Sequence, residues 1–140
     1  MKTELIDLIP KILSHDARYT KEAYIFVQNA VDFSINFHDS ELAKNSHLSV
    51  QQLTEGIRLF ANEQFGVMCQ YTLAEWGIST TMDFGHIVFN LIEFDILSGQ
   101  PDDRLEDFAD LFDFDEAFRS PFADHLTAID PARIPKVDRL

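Results

Sequence analysis

Apolar residues along this chain return every three or four positions, and that spacing commits most of its length to helix. Leu5, Leu8, Ile9 and Ile12 line one face of a first helix over about residues 4–14. Thr20 is a natural cap for a second, which runs to about Phe37 and is apolar nearly all the way round, as a central buried helix is. A polar loop follows over 39–47. Ser49 and Gln52 have the spacing of a capping box and open a third helix, with Leu53, Ile57, Phe60, Ala61 and Phe65 as its stripe. Gly66 and Gly77 stand where left-handed stops would end the third helix and a fourth over 67–76. Thr80 caps a fifth helix over 81–94, with Phe84, Ile87, Val88, Leu91 and Ile92 facing the core.

Beyond it, Ile96-Leu97-Ser98-Gly99, the turn residues Gln100-Pro101-Asp102-Asp103, and residues 105–108 have the pattern of a short β-hairpin. The expected fold is therefore mostly α: one compact domain of five to six helices over residues 1–122. Helices followed by a hairpin across about 50–108 also match the order of a winged-helix module. Pro131 and Pro135 place an extended tail over 123–140. Phe26, Phe60, Leu73, Trp76, Phe84, Val88 and Leu91 are the expected core.

Hydrophobic residues are 46% of the 140, including thirteen Phe, which is enough to offset chain entropy. No apolar run approaches the roughly 18 residues of a membrane span, and Glu4, Asp7 and Lys11 interrupt the N-terminal stretch, so a signal peptide is not expected. One cysteine permits neither an internal disulfide nor a cysteine-based zinc site, and the cytoplasm is the simplest compartment.

Charge is unevenly spread. Of the net −13, residues 59–118 carry almost all: thirteen Asp or Glu against the single base Arg104. Phosphate backbones bind through Lys and Arg, so nucleic acid and anionic lipid are excluded as partners by sign alone. A basic or amphipathic protein is the partner such a surface suits, and self-association stays open. Asp102, Asp103, Glu106 and Asp107, with Asp110 behind them, are the expected contacts.

Arg18-Tyr19, Ala23-Tyr24 and Phe26-Val27 are followed by Glu63, Phe65-Gly66, Met68, Leu73 and Trp76-Gly77-Ile78. Then come Asp83-Phe84-Gly85, Ile87-Val88-Phe89-Asn90-Leu91-Ile92-Glu93, Asp102-Asp103, Asp107-Phe108 and Phe114-Asp115 to Phe118. Over about residues 17–118 this text resembles an uncharacterised family of short proteins described mainly from planctomycete and verrucomicrobial bacteria. The resemblance implies a bacterial source and no activity, because no function is assigned to that family.

Residues with chemical potential are few. Asp83, His86, Asn90 and Glu93 share one face of the fifth helix. They make the low-ranking metal candidates Asp83, His86 and Glu93, beside acids of the 102–116 stretch. Two-iron bundles need a second carboxylate-x-x-His pair, and none is present. An ordinary polar face is the alternative. Cys69 lies on the stripe of Phe65, Leu73 and Trp76, as core cysteines do. Ser14-His15-Asp16 spells a triad, but adjacent side chains point apart. No G-x-S-x-G, G-x-G-x-x-G or P-loop occurs, and the 102–116 acids lack the glycine and ligand spacing of a calcium loop. No catalytic set and no cofactor are expected. Leu111, Phe114, Phe118 and Phe122 repeat at helical spacing among the acids, so this stretch either packs its rings on the domain or offers them to a partner groove.

Overall fold

The computed structural model describes residues 5–38, 48–99 and 104–118, and these are mostly α, with no strand among them. In order they form α1 (Leu5–His15), α2 (Lys21–Phe37), α3 (Val50–Phe65), a 3-10 turn (Gly66–Met68) and α4 (Cys69–Glu75). α5 (Thr81–Glu93), a second 3-10 turn (Leu105–Phe108) and the short α6 (Phe114–Ala117) complete them. The expected loop at 39–47, the contact acids Asp102 and Asp103, Phe122 and the tail over 123–140 lie outside the described residues. Among the described residues no helix is long and apolar enough to cross a membrane.

Local chemistry sets most boundaries. The Thr20 hydroxyl accepts from the Ala23 amide at 3.3 Å. Ser49 and Gln52 close the expected box, with bonds of 3.1 and 2.9 Å between each side chain and the other's amide. Gly66 has φ +53° and Gly77 φ +91°, a region that side chains with a Cβ rarely enter. At Gly77 the stop is a full Schellman motif: the Ile78 amide reaches Leu73 O at 2.9 Å and Gly77 reaches Ala74 O at 3.0 Å. Ile78 and Leu73 are both buried, which supplies the apolar contact that goes with that motif.

α2 is central and packs against α1, α3 and α5. It buries Ala23, Tyr24, Phe26, Val27, Ala30, Val31 and Ser34. Its last turn departs from the all-round burial expected, because Ile35 and Phe37 are exposed. α2 and α3 approach closely where Gly56 faces Ser34: a Cβ on Gly56 would lie 2.9 Å from the Ser34 Cα. The Ser34 hydroxyl, fully buried, donates to Ala30 O at 2.8 Å and reaches Leu53 O at 3.3 Å.

Of the expected core, Phe26, Leu73, Phe84, Val88 and Leu91 are buried, while Phe60 and Trp76 are only partly so. Those two rings stand at the edge, stacked or tilted against Phe26 at 5.5 and 5.8 Å.

The hairpin expectation is corrected at both of its described arms. α5 ends in a second Schellman motif built on Asp95, at φ +62°, in place of glycine. The Ile96 amide donates back to Leu91 O at 2.8 Å, and Leu97 to the same oxygen at 3.2 Å, so neither is free for a strand ladder. Leu105–Phe108 curls into a 3-10 turn instead of extending. There the Thr81 hydroxyl donates to Phe108 O at 2.6 Å, and Gly85 gives the ring room: a Cβ on it would sit 2.7 Å from Phe108. The winged-helix arrangement loses its wing with these arms.

The aromatic, acidic stretch packs on its own domain. Phe108, Phe114 and Phe118 are buried. Phe114 meets Phe84 at 5.6 Å and Phe118 at 4.8 Å, and Asn62 of α3 donates to Ala117 O at 3.1 Å. Burying three rings in this way fixes which side of the stretch the acids must occupy.

Candidate functional site

Two polar regions deserve comparison as sites: the polar face of α5 and the acidic surface beyond it. The first is a joint. The Asn90 amide, mostly buried, donates to Asp16 at 2.9 Å and to the Tyr24 hydroxyl at 3.0 Å. The Tyr19 hydroxyl donates to Asp83 at 2.6 Å, and the other Asp83 oxygen accepts from the Ser79 and Thr80 amides at 2.8 and 3.0 Å. Arg18 clasps Asp16 with Nε and NH2 at 2.9 and 2.7 Å and lies over the Tyr19 ring, 5.3 Å from its centre. The Thr20 amide also reaches Trp76 O at 3.4 Å, so the α1–α2 connection is bonded to both ends of the α4–α5 connection.

The electrostatics follow from these bonds. The Arg18 guanidinium holds the Asp16 carboxyl well below the carboxylate range; partial burial opposes this and Asn90 adds to it. Burial pushes Asp83 up, but the Tyr19 hydroxyl and the two backbone amides outweigh it and the net shift is down. Burial, then the Asp83 carboxylate, drive the Tyr19 phenol far above its usual value, which removes it as an acid or base near neutrality. Burial and the nearby Arg18 lower His86, only partly offset by Asp83 and Asp16, which favours its neutral form.

A carboxylate depressed in the folded chain stabilises it above the unfolded value, and that contribution is lost as pH falls toward the folded one. The melting-temperature gap between the parent chain and an Asp16→Asn variant should therefore be constant above about pH 5 and shrink below about pH 4. Thermal melts across that range check it, and an equal gap at pH 3 and pH 7 would contradict the Asp16–Arg18 linkage.

The sequence placed Asp83, His86, Asn90 and Glu93 on one face, and they are there, but facing different partners. Asp83 serves Tyr19 and the helix cap, Asn90 serves Asp16, and Glu93 lies 3.8 Å from His15. Among the described residues no group of three or more His, Cys, Asp or Glu is placed to hold a metal ion. The face is more than a plain solvated surface. It is half of a polar interface whose other half, Asp16, Arg18, Tyr19 and Tyr24, the sequence did not reveal as a site. In the Ser14-His15-Asp16 run, Asp16 turns to Arg18 and His15 packs edge-on against Phe94 at 5.7 Å. Cys69 is buried, and burial pushes its thiol up to about 12.

The second region is the acidic surface. Glu93, Asp95, Glu106, Asp107, Asp110, Asp113, Asp115 and Glu116 are all exposed. Arg18 and Arg58 pair elsewhere, with Asp16 and Glu55. Three large apolar side chains, Val67, Met68 and Tyr71, are each more than half exposed. They flank Gln70, whose amide donates to Asp115 at 2.8 Å. Two grooves among the described residues lie near these features. One, of about 340 Å³, is lined by Ser79, Thr80, Thr81, Asp110, Phe112, Asp113 and Phe114. The other, of about 230 Å³, has aromatic walls from Phe26, Phe60, Phe65 and Trp76. Compared with known proteins, the chain matches no family model, no curated protein and no solved structure.

Proposed function

We propose that the chain is a non-enzymatic interaction module whose acidic face, about residues 93–116, binds a basic or amphipathic partner protein. The observation that carries this reading is the exposure of every described acid from Glu93 to Glu116, in a block whose only base is Arg104. Their repulsion costs stability, and a cationic partner relieves it. The exposed Val67, Met68 and Tyr71 beside Asp115 add the apolar area that a charged rim alone lacks. The cytoplasm is the compartment this reading assumes, where a lone reduced cysteine is ordinary.

Association should be fast at low salt and fall steeply as charges are screened within about 8 Å at physiological ionic strength. The test is capture from the native host on the immobilised chain, followed by rates with the captured protein at low and high salt. Glu106→Lys with Asp107→Lys should slow association by about tenfold and leave the melting temperature within a few degrees, since both side chains are exposed. A complex equally tight at both salt concentrations would sink the proposal.

A further inference from the structure

The aromatic groove sits where α2, the end of α3 and the residue after α4 meet. Phe26 is its floor ring, 5.5 Å from Phe60, 5.4 Å from Phe65 and 5.8 Å from Trp76, and Glu22 stands on its rim. The rings pack on one another and still leave about 230 Å³ open among the described residues. That is smaller than the roughly 300–1,000 Å³ of small-molecule sites, and suited to one bulky side chain. Trp76 is three residues from Ser79, which lines the second groove with Asp110 and Asp113. Three residues of chain span at most about 10 Å, so the aromatic groove and the acidic one adjoin the same short segment.

We infer that the aromatic groove is the anchor pocket for the partner, which is an amphipathic helix inserting one large apolar side chain here and carrying Lys or Arg beside it. The inference rests on the reading of the chain as an acidic interaction module and names the form of its partner. Buried apolar anchors in concave pockets carry most of the binding energy at protein interfaces, while rim charges set rate and orientation. Here the pocket supplies the first. Glu22 on its rim, with Asp110 and Asp113 on the adjoining groove, supplies the second and sets the sign of the partner. A helix presenting apolar residues at i, i+3, i+4 and i+7 on one side and cations on the other meets both demands.

Trp76 is the only tryptophan in the chain, so occupancy of the pocket can be read directly from its fluorescence. The probe is a tryptophan-free amphipathic peptide of about fourteen residues made of Leu and Lys, titrated into the full chain. The expected result is a saturable change in Trp76 emission, weakened about tenfold when Asn29→Phe and Gln64→Phe crowd the rim. Both positions are exposed, so the fold tolerates the change. A peptide of the same composition with Leu spread round the helix should bind about tenfold more weakly. Equal affinity for either the crowded rim or the spread peptide overturns the inference.

A dimer of the chain that the crowded rim dissociates would put a second copy in the pocket, and overturns it too. Binding that appears only after Arg133, Lys136 and Arg139 are changed to Glu would assign the pocket to the chain's own C-terminal residues, with the same consequence. If Glu106→Lys with Asp107→Lys weakens the peptide while the crowded rim does not, the pocket assignment fails and the acidic module stands. If neither set matters, both fail.

Discussion

A Leu91→Ala chain should unfold about 2–5 kcal/mol more easily than its parent. Leu91 is fully buried on α5, in the core cluster that also holds Phe108 and the buried residues of α2. Removing three carbons there loses their transfer energy and leaves a cavity that a packed interior closes only in part. The position has a second task. Its carbonyl accepts from Ile96 and Leu97, so disturbing the last turn of α5 also loosens the Asp95 motif. Urea unfolding falls by about 1–3 kcal/mol per molar denaturant in a domain of this size, so the midpoint should move by about a molar or more. An unchanged midpoint would mean that Leu91 does not face the core.

Gly56→Ala carries the second large effect, and its sign is the informative part. In an exposed helix this exchange stabilises by about 1 kcal/mol, because alanine is the better helix former. Here the new methyl would meet the Ser34 side chain and approach its Cα to 2.9 Å, and a backbone atom cannot swing aside. α2 and α3 are pushed apart, and the buried Ser34 hydroxyl, which the methyl meets first, is driven off Ala30 O at 2.8 Å and Leu53 O at 3.3 Å. Overpacking of this kind costs about 1–3 kcal/mol, and a buried hydroxyl left short of partners adds about 1–3 more. The outcome should be a net loss of about 1–5 kcal/mol, from the excess of these costs over the propensity gain. Ser34→Gly in the same chain should restore part of it, and that coupling is measurable as a double-mutant cycle. Stabilisation by Gly56→Ala alone would contradict the close approach.

Features set by neighbouring residues were legible in the sequence. The capping box at Ser49, the stop at Gly77 and the α5 stripe each occupy one or two turns, and each appears where the spacing placed it. Of the two readings open for the acidic stretch, packing on the domain is the one seen: Phe114 and Phe118 go inward and leave Glu106, Asp107 and Asp110 in water. What could not be read spans long separations. Nothing beside Asp16 marks it as the partner of Asn90, 74 positions on, and Tyr19 is 64 positions from Asp83. The hairpin misreading has a local cause. Ile96-Leu97 is too short an apolar run to tell a strand from a capped helix end, and an aspartate stands where glycine usually announces the cap. The pocket was concealed differently. Phe60 and Trp76 repeat at helical spacing like core residues, and only the placement of α2 against α3 shows that they border an opening.

Burial of Cys69 makes the thiol a clock for the α4 region. Thiol reagents and oxidants act on thiolate, and a group held near 12 with no solvent access offers almost none while the chain is folded. Each modification event therefore counts one opening of the structure around α4, and its frequency gives the free energy of that opening without denaturant. The same burial keeps two chains from joining through sulfur in air, so a covalent dimer would be a record of unfolding and not of assembly.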